Sequence, residues 1–353
     1  MLRLDDHAGM AALDAGRMLH YLHELPEVAE AAYARGQAAA LPLSAPETIL
    51  VCGMGGSAIS GDLLRTQLLD QCQAPVVVHR GDRLPRFANE KTLAIFLSYS
   101  GNTHETVSCL KAAIAKGVPS LVVTSGGEAG RLAAQAGLPV VTVPGGWMPR
   151  AALGDLFFAL LGVVSQLAGC EGPDVTGAIA GLRAVRSRSA EAVPTAENPA
   201  KGLATALLGQ VPVLVGATGT TEAVALRWKC QINENSKQTA LDAILPEMTH
   251  NDIVNLTAED HAGYSLVVFT DPEDSSFVDR QRAITMELIA PRVSAIHRLA
   301  GEGETLLSRQ LTAIYLGDYV SVYLAFLKGV DPTPVDTIFA LKDKMKQAMQ
   351  EAV

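Results

Sequence analysis

The chain has few charged residues and no surplus of positive charge. Of its 353 residues, 18% are charged, and the formal net charge is -9. Nucleic-acid-binding proteins normally carry a basic surface, so this composition argues against a nucleic-acid partner. It does not argue against a phosphorylated small molecule, because hydroxyl groups and helix N-termini bind phosphate without bulk positive charge.

Long apolar runs and targeting signals are also lacking. No uncharged apolar run reaches the roughly 18 residues that a membrane-spanning helix needs. The first seven residues include Arg3, Asp5 and Asp6, which make them too polar for a secretion signal. We therefore expect no membrane partner and a cytoplasmic location.

Cysteine is scarce, and the chain has no recognisable metal-binding motif. None of the five cysteines forms a C-x-x-C pair; they are Cys52, Cys72, Cys109, Cys170 and Cys230. Their odd number and scattered positions favour reduced thiols. No H-E-x-x-H motif occurs, and the only closely spaced histidines are His20 and His23. We therefore expect neither a metal nor another cofactor.

The chain does contain a regular alternation of apolar strands and helical stretches. Segments rich in Val, Ile and Leu recur from residue 48 onward, which predicts a parallel sheet covered on both faces. Five such strands indicate a flavodoxin-like α/β domain. The predicted strands are Thr48–Cys52, Pro75–His79, Leu93–Ser98, Ser120–Thr124 and Pro139–Val143, with a long helix from Ala151 to about Leu167.

The same alternation restarts in the second half of the chain. Strands are predicted at Val211–Val215, Leu266–Thr270 and Val293–Arg298. We interpret the two halves as a diverged duplication, joined by a polar connector at 183–198. The predicted organisation is a helical segment at 1–44, domains at 45–180 and 205–330, and a tail helix at 331–353. Three apolar residues of the tail share one helical face, which we expect to pack onto the body of the protein: Ile338, Leu341 and Met345.

Two turns at strand ends have the composition of phosphate sites. The run Ser98-Tyr-Ser100-Gly-Asn-Thr103 follows the third strand and opens a helix. The run Gly53-Met-Gly55-Gly56-Ser57 follows the first strand. Hydroxyl groups beside the unpaired N–H groups of a helix N-terminus suit a bound phosphate.

The turn after the first strand also fits a dinucleotide fingerprint. The segment from Gly53 to Ala58 reads G-x-G-x-x-A, which alone is weak evidence for a nucleotide-dependent oxidoreductase. Such an enzyme needs an acidic residue at the end of the second strand, where it binds the ribose of the nucleotide. Arg80 stands there instead, and it could at best favour a 2′-phosphate.

The hydroxyl-rich run resembles the phosphosugar-binding signature of the sugar isomerase (SIS) domain. The Gly53 turn is similar to the first motif of one branch, the bifunctional phosphoglucose/phosphomannose isomerases. Further segments support that branch in the same order along the chain; they lie at 148–154, 233–237, 246–252 and 331–335, and lead to Leu341-Lys342.

The resemblance implies two SIS domains and interconversion of glucose 6-phosphate or mannose 6-phosphate with fructose 6-phosphate, without a metal. It also implies a homodimer with sites near the subunit interface. By motif match, the substrate would be held by Gly55, Gly56, Ser57, Ser98, Ser100, Thr103 and Thr333. A SIS protein that binds a sugar phosphate without catalysis is the alternative.

The chemistry assigns roles to three further residues, and the resemblance assigns one to a fourth. Isomerisation through a cis-enediol needs one base that reaches two carbons and a group that stabilises an oxyanion. Glu234 is the candidate base, and Arg150 has a guanidinium that can fork across two oxygens. His250 is the candidate for ring opening, because an imidazole can both donate and accept a proton. The resemblance implies that Lys342 assists it.

Overall fold

The first sheet has the strand order of a flavodoxin-like fold. The computed structural model describes residues 3–170 and 172–351. Five parallel strands lie in the order β2-β1-β3-β4-β5. All five predicted strands are present, and their ends differ from the prediction by at most one residue. They are β1 Thr48–Cys52, β2 Val76–His79, β3 Thr92–Leu97, β4 Ser120–Thr124 and β5 Val140–Thr142.

Helices cover both faces of this sheet. They are α1 His7–Leu13, α2 Met18–Gln37, α3 Gly56–Leu68, α4 His104–Lys116, α5 Gly127–Gln135 and α6 Leu153–Val164. Every residue of α6 is buried, which suits a helix that is apolar on all sides. Glycine allows α2 and α6 to pack closely, because a Cβ on Gly36 would lie 2.1 Å from the carbonyl oxygen of Ala159.

The second sheet repeats the arrangement of the first four strands. Its parallel strands lie in the order β7-β6-β8-β9, with bounds β6 Val211–Ala217, β7 Leu241–Leu245, β8 His261–Thr270 and β9 Val293–Ala300. The sequence did not predict β7. Asp242 interrupts the apolar run of this short edge strand, and three of its five residues are partly or fully exposed.

The second half has seven helices among the described residues. They are α7 Val175–Ser189, α8 Pro199–Leu207, α9 Glu222–Ser236, α10 Asp252–Ala258, α11 Ser276–Ile289, α12 Leu306–Leu327 and α13 Asp336–Glu351. By length and composition α12 could cross a membrane, but 94% of its most apolar window is buried inside the protein. It packs against α7, α8 and α9 as a core helix.

The predicted connector at 183–198 is wrong in its first seven residues, since α7 continues to Ser189. The charged side chains at its start lie on an exposed helix face. Arg183 and Arg186 both form ion pairs with Glu27 of α2. The link between α7 and α8 therefore shortens to residues 190–198.

The expected packing of the tail helix is also wrong. In α13, Ile338 is 40% exposed, Leu341 is 60% exposed and Met345 is 54% exposed. The helix forms as predicted, but its apolar face has no partner in the described part of the same chain.

The prediction that all cysteines are reduced fails for two of them. Cys72 and Cys170 form a disulfide across 98 residues of sequence, whereas Cys52, Cys109 and Cys230 are free. The pair joins the chain just after α3 to the segment that follows α6. Only the folded chain brings these positions together, so their spacing carried no signal.

Candidate active site

The two phosphate-type turns lie side by side at one edge of the first sheet. Because β1 and β3 are parallel neighbours, the segments that follow them leave the sheet together. Helix α3 begins at Gly56, and α4 begins directly after Thr103. Two helix N-termini, with their unpaired N–H groups, therefore open at the same place.

The side chains of these turns are partly buried. Ser57 and Ser98 are buried, Thr103 is half-buried and Ser100 is exposed. The hydroxyl of Ser98 donates to Thr103 Oγ1 over 3.1 Å. Gly101 has a φ of 67°, and a Cβ there would lie 1.8 Å from the carbonyl oxygen of Gly126. Only glycine fits this position, so the hydroxyl run is held tightly against the segment that begins α5.

Arg150 connects this edge to the second half of the chain. Its short 3₁₀ turn packs against the start of α3, since a Cβ on Gly56 would lie 3.1 Å from the Cα of Arg150. The guanidinium is buried, and its Nη1 lies 3.8 Å from Oε2 of Glu234. Burial lowers the pKa of Arg150, while the charge of Glu234 opposes that shift. The candidate base and the candidate oxyanion partner are therefore neighbours.

Helix α9 fixes the position of Glu234. The buried guanidinium of Arg227 forms an ion pair with Asp318 of α12 and donates to the carbonyl oxygen of Arg150 over 2.8 Å. Asn235 accepts from Nε of Arg150 over 2.6 Å and donates to Ser321. The Glu234 side chain is 29% exposed, so its carboxylate stays accessible to a substrate while the buried contacts of α9 hold it in place.

The segment before α13 completes the cluster. Nη2 of Arg150 donates to the carbonyl oxygens of Pro332 and Thr333, each over 2.7 Å. The hydroxyl of Thr333 is enclosed beside Gly16 and has no hydrogen-bond partner among the described residues. Thr333 thus reaches the site through its backbone, and contact of its side chain with a sugar stays a prediction.

Lys237 is a member of the cluster that the sequence did not single out. It closes α9 in the left-handed conformation, with a φ of 51°. Its ammonium group donates to the carbonyl oxygens of Asn235, Asp331 and Pro332. Burial, and then the nearby charge of Arg150, lower the pKa of Lys237 to about 8. Its place at the end of the Asn-Glu-Asn-Ser-Lys run was the available signal.

His250 lies away from this cluster. Helix α9 starts beyond the C-terminal end of β6, and its 15 residues run back along the sheet for about 22 Å. Glu234 is near the far end of that helix, whereas exposed His250 follows the C-terminal end of β7. Because β6 and β7 are parallel neighbours, Glu234 and His250 of one chain lie at opposite edges of the sheet. Lys342 is likewise outside the cluster, on the exposed face of α13.

The second half contains a counterpart of the phosphate turns that is already occupied by carboxylates. Asp274 accepts from the Thr220 hydroxyl over 2.5 Å and forms a buried ion pair with Arg282. Asp271 forms an ion pair with Arg309. A cavity of about 510 Å³ opens at this edge, away from Glu234. The anion position of this half is therefore filled by the protein itself.

Among the described residues, we find neither a metal-binding cluster nor a free cation for a nucleotide phosphate near the Gly53 turn. Residues 3–170 and 172–351 contain no group of three His, Cys, Asp or Glu side chains that could hold a metal ion. Arg80 forms an ion pair with buried Asp62 of α3. The one residue that favoured a nucleotide phosphate is thus engaged by a carboxylate.

Comparison with known proteins places the chain in a family. Residues 43–138 match the family described as SIS domain, and residues 196–345 match Bacterial phospho-glucose isomerase C-terminal SIS domain. A solved structure of a hypothetical protein from Thermus thermophilus has a TM-score of 0.74 at 16% identity, and the match covers 97% of this chain and 94% of the other. That likeness concerns the fold alone.

Relatives with assigned activities align along most of the chain. A bifunctional phosphoglucose/phosphomannose isomerase of Caldicellulosiruptor bescii is 39% identical over 94% of this chain and 99% of its own length. One from Aquifex aeolicus is 35% identical over 85% of this chain and 90% of its own length. A D-glucosamine-6-phosphate 4-epimerase of Sulfolobus acidocaldarius is 29% identical over 75% of this chain and 84% of its own length. From its fold, its motifs and these relatives, the chain belongs to the bifunctional phosphoglucose/phosphomannose isomerase family.

Proposed function

We propose that this protein interconverts glucose 6-phosphate and mannose 6-phosphate with fructose 6-phosphate. The names of the isomerase relatives support this substrate class. The observation that carries the proposal is the contact of Arg150 with Glu234. It sets a carboxylate base and a fixed cation beside the helix start at Gly56, where a phosphate can bind.

The first-half turns would hold the phosphate. Ser57, Ser98, Ser100 and Thr103 would donate hydroxyl hydrogen bonds, and the N–H groups at the starts of α3 and α4 would add their own, including those around Gly55 and Gly56. The sugar would then extend toward the Arg150 cluster. A phosphate anchored at one end fixes the distance of the reacting carbons from the base.

Glu234 would then move a single proton between two carbons. The carboxylate takes the proton from the second carbon of the open aldose and returns it to the first carbon, while the hydroxyl proton of the second carbon passes to the oxygen of the first, which yields the ketose. Arg150 would stabilise the charge that develops on the sugar oxygen. The planar enediol no longer carries the configuration of the second carbon, so one base can serve both the glucose and the mannose epimer.

A second copy of the chain would complete each site. Ring opening needs a proton-transfer group, and His250 of the same chain lies at the opposite edge of the second sheet from Glu234. We therefore propose a homodimer in which His250 from one copy serves the Glu234 of the other, with Lys342 nearby. The substrate class suits a cytoplasmic location; the Cys72–Cys170 disulfide is the one feature that a reducing compartment would disfavour.

The activity assay measures isomerisation of each hexose phosphate with EDTA present and no added cofactor. We expect turnover of both, and loss of turnover with retained binding in Glu234→Gln. Glu259→Gln, an exposed glutamate with no hydrogen bond among the described residues, is the matched control. Saturable binding of the hexose phosphates by the wild type without turnover would favour the non-catalytic alternative, tight NADPH binding would favour an oxidoreductase, and 4-epimerisation of glucosamine 6-phosphate alone would overturn the assigned reaction.

The shared site is tested by mixing two inactive variants. Random exchange of Glu234→Gln with His250→Ala gives heterodimers that each contain one intact site, so we expect recovery of about a quarter of the wild-type activity. No recovery after confirmed subunit exchange would mean that the two residues do not act across the interface.

A further inference from the structure

The apolar face of α13 has no partner in the described part of its own chain. Ile338, Leu341 and Met345 follow spacings of three and four residues, so they form one stripe along the helix. Each is at least 40% exposed. An exposed stripe of this kind on an otherwise well-packed protein marks a contact surface.

A second exposed apolar stripe lies on the domain that contains His250. In α11, Phe277, Ile284 and Leu288 are more than half exposed, and their spacings of seven and four residues place them on one side of the helix. Val254 of α10, which packs against α11, is 67% exposed. We call these four residues the α10–α11 face.

The α10–α11 face borders the turn that ends at His250. Gln281 lies on the same side of α11 as the apolar stripe, and its amide donates to the hydroxyl of Thr249 over 3.1 Å. A helix that covered this stripe would therefore lie next to His250.

The two helices are similar in length, and their stripes have the same period. α13 has 16 residues and is about 24 Å long, while α11 has 14 residues and is about 21 Å long. With Gln281 included, the side chains along this side of α11 are spaced by three and four residues, as on α13, and such side chains can interdigitate as in packed helix pairs.

The charges beside the stripes are complementary. Lys342 and Lys344 flank the apolar residues of α13 and are exposed. Glu247 and Asp252 stand on either side of His250, and both are exposed. Partial burial, and then the neighbouring carboxylates of Asp242 and Glu247, raise the pKa of Asp252, so this corner of the domain is negative.

We infer that α13 of one copy packs on the α10–α11 face of a second copy, and that the reverse contact forms at the same time. In a dimer with twofold symmetry, this exchange covers both apolar stripes of each chain. It deepens the proposed function, because α13 begins three residues after Thr333 and would bring the second copy's His250 toward the Arg150 cluster. Lys342 would lie at the contact, facing Glu247 and Asp252 of the second copy.

Charge insertion tests the contact by sedimentation velocity. Ile284→Glu and Leu341→Glu each place a carboxylate in the stripe, and because both side chains are exposed, neither should disturb the fold of a single chain. We expect each variant to shift from dimer to monomer with an unchanged circular dichroism spectrum. Phe87→Glu, at an exposed apolar residue of the first half, is the control that should remain dimeric. A wild type that is monomeric at all concentrations, or variants that stay dimeric, would overturn the inference.

A covalent test identifies the partner helix directly. A double variant with Ile284→Cys and Leu341→Cys should form a dimer that resists sodium dodecyl sulfate without reductant, whereas Phe87→Cys with Leu341→Cys should not. A crosslink within one chain instead would mean that α13 folds back onto its own domain and would overturn the exchange. A crosslinked dimer with no isomerase activity in the wild type would sink the proposed reaction while leaving this contact in place.

Discussion

Arg150 of the first half and Glu234 of the second half face each other, with 3.8 Å between Nη1 and Oε2. The other nitrogens of the guanidinium donate to Asn235 and to the carbonyl oxygens of Pro332 and Thr333. Nη1 is thus the part of Arg150 that is directed toward the carboxylate. A sugar oxygen that enters between them would meet a donor on one side and a base on the other.

Loss of Arg150 should weaken the fold as well as the reaction. Arg150→Ala leaves the side-chain oxygen of Asn235 and the carbonyl oxygen of Thr333 without their donor in a buried place, and leaves the carbonyl of Pro332 with Lys237 alone. We expect the free energy of unfolding to fall by about 2–4 kcal/mol and turnover to disappear. Arg150→Lys keeps the charge but not the forked guanidinium, so its unfolding free energy should lie between those of the wild type and Arg150→Ala. Urea denaturation measures this, and a wild-type unfolding free energy for Arg150→Ala would contradict the bracing role.

Loss of Ser100 should act on substrate affinity. The Ser100 hydroxyl is exposed and lies in the turn between β3 and α4, so Ser100→Ala should leave the fold intact. Removal of one hydrogen bond to a charged phosphate should weaken binding by about 1–3 kcal/mol and raise KM accordingly, with little change in kcat. Steady-state kinetics on fructose 6-phosphate measure both constants. Ser187→Ala, at an exposed serine of α7, is the control, and an unchanged KM in Ser100→Ala would place that hydroxyl outside the phosphate site.

The pKa of Lys237 predicts a falling limb in the pH profile. As pH rises through about 8, the ammonium group loses the proton that helps it hold the carbonyl oxygens of Asp331 and Pro332. We expect kcat/KM to decline with an apparent pKa near that value. Lys237→Arg keeps the charge at higher pH, so the decline should move upward. A profile that is identical in the two proteins would assign the titration to another group.

Asp155 predicts a pH dependence of stability. Its side chain is buried in the first turn of α6, and its Oδ1 has no hydrogen-bond partner among the described residues. Burial raises the pKa of Asp155 to about 6. The folded protein therefore prefers the protonated acid: its contribution to stability is complete below the unfolded pKa of 3.8 and is lost as pH rises through about 6.

Asp155→Asn should remove this dependence. We expect the variant to exceed the wild type in unfolding free energy by about 1–3 kcal/mol near pH 7.5, and the difference to vanish near pH 4. Urea denaturation at a series of pH values provides the comparison. A constant difference across that range would contradict the assignment.

The fold could be predicted well because its inner strands are buried on both sides. Strands such as β3 are continuous apolar runs, and their alternation with helices fixes a parallel sheet. β7 was not predicted because Asp242 interrupts its apolar run, which an edge strand with an exposed side tolerates. The packing of α13 was mispredicted for a different reason: a helical stripe shows that a face is buried somewhere, but not against which partner.

The candidate site was predictable in its residue types but not in its geometry. The sequence pointed to Glu234 and Arg150, and the structure brings them together across 84 residues of chain. The sequence did not reveal that Glu234 and His250, which are only 16 positions apart, lie at opposite ends of the strands of the second sheet. Lys237 was overlooked because its part is played by hydrogen bonds to backbone carbonyls, which carry no signature in sequence.

The carboxylates of Asp271 and Asp274 have a consequence for stoichiometry. Although the chain contains two similar sheets, only the turns of the first are open to an external anion. In the second, Asp271 and Asp274 occupy the corresponding position and form ion pairs with Arg309 and Arg282. Calorimetric titration should therefore saturate at one hexose phosphate per polypeptide. One half of the duplicated chain would then bind the ligand, and the other half would supply the catalytic base.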